Sequence, residues 1–451
     1  MQTTTKAQLT EGPIIKTLVR LTIPMIIGIL GMVIFNLVDT LFVGQLGTNE
    51  LAAISFTFPV VMVIGSISMG LGVGVSAVIS RAIGEGNHHS VQRLTTDSLS
   101  LGALIVVSIV AVGLSTIEPT FRMLGAEPEV MPLIKEYMLI WYMGATFIVV
   151  PMIGNSAIRA TGDTKTPSAI MVVAFITNII LDPLLIFGIG PFPRWGLMGA
   201  AVATVTARFV IFLLSMWVLY FRENMITFQV PTFQEGLSSW KKVLYIGVPA
   251  AGTNLIMPVG MGIITSLVSV YGNPAVAALG VVTRVEMFAL TMLMALGSVL
   301  APFVGQNLGA GKKERIVLAV KYSQQFAMAW GGLMFILLLV LARPIASMFN
   351  DNPEVIANII LYLSLVPISY GLLSVLYLSN NVLNVLNKPL HAAVLMIMRM
   401  LVLYVPLAYV GSYLFGIQGI FGAASVANMI AGVAAYYWLN RILRSTTNKL
   451  L

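Results

Sequence analysis

Two carboxylates lie inside long apolar segments of the chain, Asp39 in NLVDTLFVG and Asp182 in NIILDPLLIF. A carboxylate surrounded by hydrocarbon is costly, so residues of this kind are rare and are functional candidates by default. Such a group can exchange a proton with water or bind a cation. The two positions therefore predict a protonatable or cation-binding site within a membrane.

Further polar residues are spaced so that they can join these carboxylates. They are Asn36, Asn178, Tyr137 and Thr204. Each asparagine precedes its carboxylate by three or four residues and so shares its helix face. At 1.5 Å per residue, Asp39, Asp182, the tyrosine and the threonine fall at similar depths, roughly 7–12 Å below their helix ends. We expect these groups to act as ligands or supporting groups. The alternative is a hydrogen-bonded cluster that only ties helices together.

A proline within the first apolar segment, Pro24, precedes Asp39 by some fifteen residues. It lacks an N–H group, and its ring weakens the helix locally. The sequence allows either a fixed kink or a bend whose angle responds to the charge of Asp39.

Other charges within apolar segments have roles that the sequence leaves open. Arg284 and Glu286 in VVTRVEMF are two residues apart and so do not share a helix face. They are secondary site candidates, with interfacial or lipid-edge positions as the alternative. Arg208 and Arg399 are either counter-charges to the carboxylates or groups that bind helix ends.

The composition requires a membrane environment for these segments. Of 451 residues, 58% are hydrophobic and only 9% are charged, against about 25% charged in soluble proteins. There are no cysteines, no P-loop motif and no nucleophile–base pair, so neither an enzyme nor an ATP-driven pump is indicated. The net charge of +8 fits a membrane surface rather than nucleic acid. We expect no metal site and no cofactor.

Twelve apolar spans are predicted, each long enough to cross about 30 Å of hydrocarbon. They cover residues 14–43, 51–80, 94–117, 129–150, 167–190, 197–220, 240–270, 276–305, 317–341, 354–385, 389–414 and 419–440. Lysine and arginine concentrate at both termini and at the connections that lie on the same side of the membrane as the termini, which we call the basic side. Because such residues mark the cytoplasmic face, we expect both termini to be cytoplasmic.

The two halves of the chain align when it is shifted by 225 residues. Pro24 then meets Pro249, and PEV at 128–130 meets PEV at 353–355. Near the end the predicted shift is 223, which aligns GLMGAA at 196–201 with GIFGAA at 419–424. Each half has six spans, so equivalent spans have the same orientation, which predicts parallel repeats related by an axis along the membrane normal. The predicted fold is all-α: an N-lobe at 1–220, a linker at 221–239 and a C-lobe at 240–451, enclosing a central cavity.

The repeat is asymmetric in its polar residues. The partners of Asp39 and Asp182 are Ile264 and Val405. We therefore expect ionic chemistry in the N-lobe, with most of this polarity lost from the C-lobe.

Several motifs resemble those of multidrug and toxic compound extrusion (MATE) transporters, over nearly the whole chain. They are VDTLFVGQLG, ISRAIGEGN, IRATGDTKTP and APFVGQNLGAGKK. The resemblance implies secondary-active export of organic cations and amphipathic drugs across the inner membrane of a prokaryotic cell by alternating access. Within the family the chain looks like the DinF-type branch, whose key residues match Asp39, Asp182, Tyr137, Asn178 and Thr204 and whose bendable first helix matches Pro24. The NorM-type branch has further acids in spans seven and ten, and this chain lacks them.

We accordingly expect a monomeric antiporter in the lipid bilayer that exchanges a drug for H+, with Na+ as the alternative coupling ion. A proton that neutralises Asp39 from outside would release the substrate, since coupling requires differential affinity between states. Two other interpretations are a flippase for lipid-linked oligosaccharides and a receptor or channel without coupled transport. The acidic cluster counts against the flippase, which would need a basic cavity for phosphates.

Overall fold

Helices account for almost all of the regular structure in the computed structural model, which describes residues 7–448. At residues 36, 37, 39–41, 48, 51 and 446–448 it describes the backbone alone. The helices are α1 (Ile14–Gly44), α2 (Thr48–Gly84), α3 (His88–Ser115), α4 (Ile117–Met123), α5 (Met131–Gly144), α6 (Thr146–Ala160), α7 (Lys165–Phe187), α8 (Leu197–Trp217), α9 (Phe233–Ser269), α10 (Asn273–Gly309), α11 (Lys313–Phe349), α12 (Pro353–Leu365), α13 (Tyr370–Val385), α14 (Pro389–Ile397), α15 (Val405–Phe415) and α16 (Ile417–Asn448). Short π-helical segments follow α8 and α14.

Eleven helices or continuous helical stretches in the described chain are long and apolar enough to cross a membrane, and one bent pair brings the total to twelve. The twelve predicted spans and the all-α class are confirmed. Many helices extend beyond the predicted spans: α9, α10 and α11 have 37 residues each, or about 55 Å. Hydropathy marks only the part that lipid surrounds, so it misses these ends.

The fourth span was predicted to end at residue 150, but it continues to Ala160. It consists of α5 and α6, which meet at a bend of 41°. Polar residues in α6 interrupt the apolar pattern, so the sequence did not predict this continuation. Their side chains form hydrogen bonds within the protein. Ser215 donates to Asn155 Oδ1 at 3.0 Å, and Arg159 donates to Ser156 Oγ at 2.7 Å.

The helices separate into two compact units. One is built mainly from Ile23–Ala251, and the other from Leu9–Thr22 and the residues from Gly252 onward. The segment predicted as a linker, 221–239, and the first part of α9 therefore pack with the first unit. Small residues permit this packing: a side chain at Gly74 would meet the backbone oxygen of Val243 at 2.5 Å.

The connection between the halves lies along α3. Gln92 donates through Nε2 to the carbonyl of Asn224 at 2.9 Å. Arg93 donates through Nη1 to the carbonyl of Gln229 at 2.7 Å and also pairs with Asp97. Charged and amide side chains of one helix thus satisfy a backbone that has no regular partner of its own.

The second unit binds the start of the chain in a similar manner. Leu9 donates its backbone N–H to Gln306 Oε1 at 3.0 Å, and its carbonyl accepts from Asn307 Nδ2 at 3.1 Å. Arg315 donates to the carbonyl of Gly12 at 2.8 Å. These bonds explain why Leu9–Thr22, which includes the first residues of α1, belongs to the second unit.

The structure corrects the predicted repeat register near the end of the chain. The glycine that precedes α8, Gly196, has φ 54° and ψ −128°, and the glycine that precedes α16, Gly416, has φ 63° and ψ −143°. Their matching positive-φ geometry pairs the two glycines at a shift of 220 residues, whereas the sequence aligned Gly196 with Gly419. The connection before the last helix is therefore three residues shorter in the second half than in the first. At the corrected register the partner of Thr204 is Ala424, so the second half still lacks a hydroxyl group at this position.

An ion pair on the basic side of the first unit closes the TGDTKT turn. Arg222 pairs with Asp163, and Thr166 donates its backbone N–H to Asp163 Oδ1 at 3.0 Å. Burial acts to raise the pKa of Asp163, but the bonds from Thr166 and Arg222 outweigh it and hold that pKa below its ordinary value. A carboxyl whose pKa is lowered by folding adds stability above its unfolded pKa, and this is lost as pH falls through the folded pKa.

We therefore expect Asp163→Asn to reduce the free energy of unfolding by about 1 kcal/mol at neutral pH. The difference from the parent protein should disappear when the pH falls below the lowered pKa of Asp163. Thermal unfolding in detergent across pH 3–7, roughly the range in which carboxyl groups titrate, measures it. Asp351→Asn, at an exposed position, is the matched control. A deficit that persists undiminished at acid pH would contradict this origin of the stability.

Candidate functional site

Asp182 on α7 carries a fully buried carboxylate in the first unit. Asn178 donates from Nδ2 to its Oδ1 at 3.1 Å. The predicted spacing of four residues therefore does place the amide against the carboxylate. Pro183 follows directly inside the helix, and its missing N–H leaves one helical carbonyl without its usual donor. A carboxyl group, an amide and a weakened helix turn thus occur together.

Tyr137 and Thr204 are both buried in the same unit, as predicted. They lie on α5 and α8, which pack together, and α8 also packs along α7. The three helices thus hold the tyrosine, the threonine and Asp182 within one helix group. A direct bond from either residue to Asp182 stays a prediction.

Asp39 and Asn36 are positions on α1 whose side chains lie outside the described residues. Nearby, the guanidinium of Arg208 lies 5.2 Å from the ring centroid of Phe35. Residue 39 follows Phe35 by four positions, so both positions lie on one face of the helix. This contact places the cation of Arg208 against that face of α1, and its role as a counter-charge stays a prediction.

Pro24 lies inside α1, which continues unbroken through it. One turn later α1 contacts α7 closely: a side chain at Gly28 would meet Ser168 Oγ at 3.1 Å, and Ser168 donates that hydroxyl to Met25 Sδ at 3.6 Å. The helix that carries residue 39 is thus in contact with the helix that carries Asp182. The responsive bend at Pro24 stays a prediction.

The second unit contains a polar network of its own, although the repeat comparison predicted that the C-lobe had lost most of the polarity of the N-lobe. Glu286 accepts a hydrogen bond at its Oε2 from Tyr362 at 2.6 Å and another from Tyr370 at 3.4 Å. Tyr362 is the repeat partner of Tyr137, and this equivalence was the one feature of the sequence that pointed to Tyr362. Arg284 is exposed and does not pair with Glu286 among the described side chains. Arg284 and Glu286 therefore lie in different environments, although only two residues separate them.

A second part of this network centres on Arg399. It donates from Nε to Asn428 Oδ1 at 2.7 Å, and Asn428 donates to Ser369 Oγ at 2.9 Å. Ser369 directly precedes Tyr370, so the arginine and glutamate parts meet at one turn of chain. Sequence reasoning marked Arg399 as mid-span but could not supply its neighbours, because they come from distant helices.

Twelve membrane crossings from two sequence-related halves, with ionisable side chains inside the spans of each, define a membrane transporter built from internal repeats. The MatE family model matches residues 24–184 and again residues 249–410. The chain belongs to the MatE family. The two matches begin 225 residues apart, in agreement with the repeat that the sequence showed.

Individual relatives agree on the class but carry different names. The chain is 41% identical over 434 residues, 96% of each protein, to a protein named FAD transporter from Shewanella oneidensis. It is 23% identical to the multidrug export protein MepA of Staphylococcus aureus, over 98% of this chain and 97% of that protein. The structure matches the bent form of the Vibrio cholerae MATE transporter VcmN with a TM-score of 0.90 and 34% identity, covering 98% of this chain and 99% of that one.

Proposed function

We propose that the chain is a proton-coupled antiporter that exports amphipathic molecules, organic cations among them, by alternating access. The observation that carries this proposal is the fully buried Asp182, whose carboxylate accepts a hydrogen bond from a neutral amide. A neutral donor tolerates both the charged and the protonated carboxyl.

In the proposed cycle the first unit binds its substrate while Asp39 is ionised. A proton from the outside neutralises Asp39, and the substrate leaves outward. Asp182 shares the proton or adjusts the site, and the return to the inward state delivers the proton inside. Transport is coupled because the proton and the substrate compete for one charge.

The same proposal gives the protein an inner-membrane location with both termini cytoplasmic, by the excess of Lys and Arg on the basic side. It also assigns the chain to the DinF-type branch and takes it to act as a monomer. The charge-responsive bend at Pro24 belongs to this proposal. The existence of a bent form of VcmN, which is 34% identical to this chain, supports it.

The deciding experiment uses everted membrane vesicles with a cationic dye and separately imposed H+ and Na+ gradients. We expect dye movement under the H+ gradient, none under Na+ alone, and collapse with an uncoupler. Movement under Na+ alone would replace H+ by Na+ as the coupling ion.

Asp39→Asn should abolish proton-driven dye exchange in these vesicles while expression stays intact. The amide cannot take up a proton, so competition with the substrate is lost. Dye efflux and intravesicular pH, measured together, test this. Full exchange by this variant would defeat the proposed cycle. Glu129→Gln, at an exposed position in the turn that precedes α5, is the control.

A second candidate cargo is FAD, since a relative of 41% identity carries the name FAD transporter. Flavin release from cells that express the chain, compared with vector-only cells, tests this cargo directly. A flippase for lipid-linked sugars is disfavoured by the acidic site of the first unit, and transfer of a labelled lipid in the same vesicles would revive it.

A further inference from the structure

Arg399 is a positive charge buried inside the second unit. Its side chain is only 6% exposed. It lies on the π-helical segment Met398–Tyr404, in the span Pro389–Phe415. Ten residues separate it from Pro389, or about 15 Å along the helix, which places it near the middle of the span. A buried arginine at that depth is costly and marks a functional candidate.

The observed partners of Arg399 are neutral. They are Asn428 at 2.7 Å from Nε, with Tyr377 and Met257 each at 3.3 Å from Nη1. Within the described part of the chain, no carboxylate lies within 4.0 Å of it. The acid of the same network is Glu286, whose Oε2 accepts hydrogen bonds from Tyr362 and Tyr370. Among the described residues, the charge of Arg399 therefore has no carboxylate in contact with it.

The hydrogen-bonding capacity of Arg399 is also incomplete. A guanidinium has five N–H donors, and the bonds of Arg399 use those on Nε and Nη1. Its Nη2 makes no hydrogen bond to the described residues, and it is not among the enclosed side-chain atoms that lack a partner. Two donors on Nη2 therefore reach accessible space, while the rest of the group is held in place.

A guanidinium that is fixed on one edge and open on the other matches a phosphate or carboxylate, which it binds with parallel N–H donors. Tyr377 adds a phenolic ring against the same guanidinium, with the guanidinium carbon 5.9 Å from the ring centroid. Aromatic rings of this kind also pack against planar ligands. The position near mid-span lies well below the depth of lipid phosphates, so a transported molecule fits better than a lipid headgroup.

We infer that Arg399 is the anion-binding group of a substrate site in the second unit, for an aromatic molecule that carries a phosphate. This inference rests on the proposed function, because it takes the protein to be an exporter, and it narrows the substrate class. Asn428 and Tyr377 act as positioning residues that keep Nη2 directed outward.

The test compares FMN with riboflavin, which share the ring system and differ by one phosphate. Binding to the purified full-length protein is followed by flavin fluorescence, and uptake is followed in proteoliposomes. The parent protein should prefer FMN. Arg399→Gln should weaken FMN binding by about tenfold to a hundredfold and leave riboflavin almost unchanged. Arg399→Lys, which keeps the charge, should retain part of the preference.

Arg343→Gln, at an exposed position on α11, is the matched control and should change neither ligand. If the parent protein does not distinguish FMN from riboflavin, the inference fails whether or not any variant folds. It also fails if Arg399→Gln weakens both ligands equally. If the effect of Arg399→Gln depends on the phosphatidylglycerol content of the liposomes and not on FMN, the arginine binds lipid. That result would also overturn the inference. Because binding is measured without a gradient, the comparison of FMN with riboflavin can still be interpreted if the protein turns out not to be coupled to protons.

Discussion

Asp182→Asn should reduce proton-driven export by roughly 5-fold to 150-fold, the range expected for a coupling free energy of about 1–3 kcal/mol. The substitution is nearly isosteric. The carbonyl oxygen of the new amide can still accept from Asn178 as Asp182 Oδ1 does now at 3.1 Å, so the fold of the first unit should persist. What is lost is the ability of a fully buried group to take up and release a proton. Dye efflux against an imposed pH gradient, measured over a range of pH values, gives the result.

Two controls separate the chemistry of this residue from its structural role. Asp351→Asn makes the same chemical change at an exposed position and should leave efflux unaltered. The thermal unfolding of Asp182→Asn in detergent should match that of the parent. Reduced efflux with an unchanged pH profile would mean that Asp182 only supports the helices. Undiminished efflux would remove it from the proposed cycle.

The membrane fold was predictable because its main determinant is local. Apolar length and the placement of Lys and Arg depend on residues within one span, and the duplication places the same landmarks twice along the chain. The end of the fourth span was predicted incorrectly because Asn155, Ser156 and Arg159 interrupt the apolar run. Their partners come from α6 itself and from α8, which hydropathy does not register. The repeat partner of Gly196 was predicted incorrectly because two segments of the second half match its GxxG pattern. Only the backbone angles distinguish these two matches.

The site was predictable in one half only. Asn178 and Asp182 share a helix, so their spacing was enough. Glu286 receives its bonds from Tyr362 and Tyr370 on two other helices, and Arg399 meets Asn428 across another pair. Such contacts depend on helix rotation and on which faces pack, and neither can be derived from a single span. The repeat comparison misled here, because it looked for the same residue types at equivalent positions and the second half uses different ones.

This difference between the halves has a mechanistic consequence. A buried carboxylate in one unit and a buried guanidinium with neutral partners in the other suit cargo of opposite charge. The proposed proton site and the proposed anion site are therefore separable by mutation. Asp182→Asn should impair every coupled cargo, whereas Arg399→Gln should impair only cargo that carries an anionic group.

Gly331→Leu should prevent folding of the second unit. A side chain at Gly331 on α11 would collide with the backbone nitrogen and Cα of Gly371, and it would meet the carbonyl carbon of Tyr370 at 2.9 Å. These are main-chain atoms of α13, so no rotamer change relieves the clash and the two helices must separate. Overpacking of a core usually costs about 1–3 kcal/mol. A clash with backbone should exceed that range and consume a large part of a typical stability of about 5–15 kcal/mol. The yield of monodisperse protein after detergent extraction measures the effect.

The neighbouring glycine supplies the control. A Cβ atom added at Gly332 would have no described neighbour within 4 Å, so Gly332→Leu adds the same volume one residue away and should leave the yield unchanged. Gly331→Ala should fall between the two, with a lowered thermal midpoint. Because Tyr370 donates to Glu286 at 3.4 Å, any folded Gly331→Ala protein should also have altered substrate binding in the second unit, while its response to Asp182→Asn stays that of the parent. Equal yields for the two leucine variants would show that α11 and α13 are not in contact at Gly331.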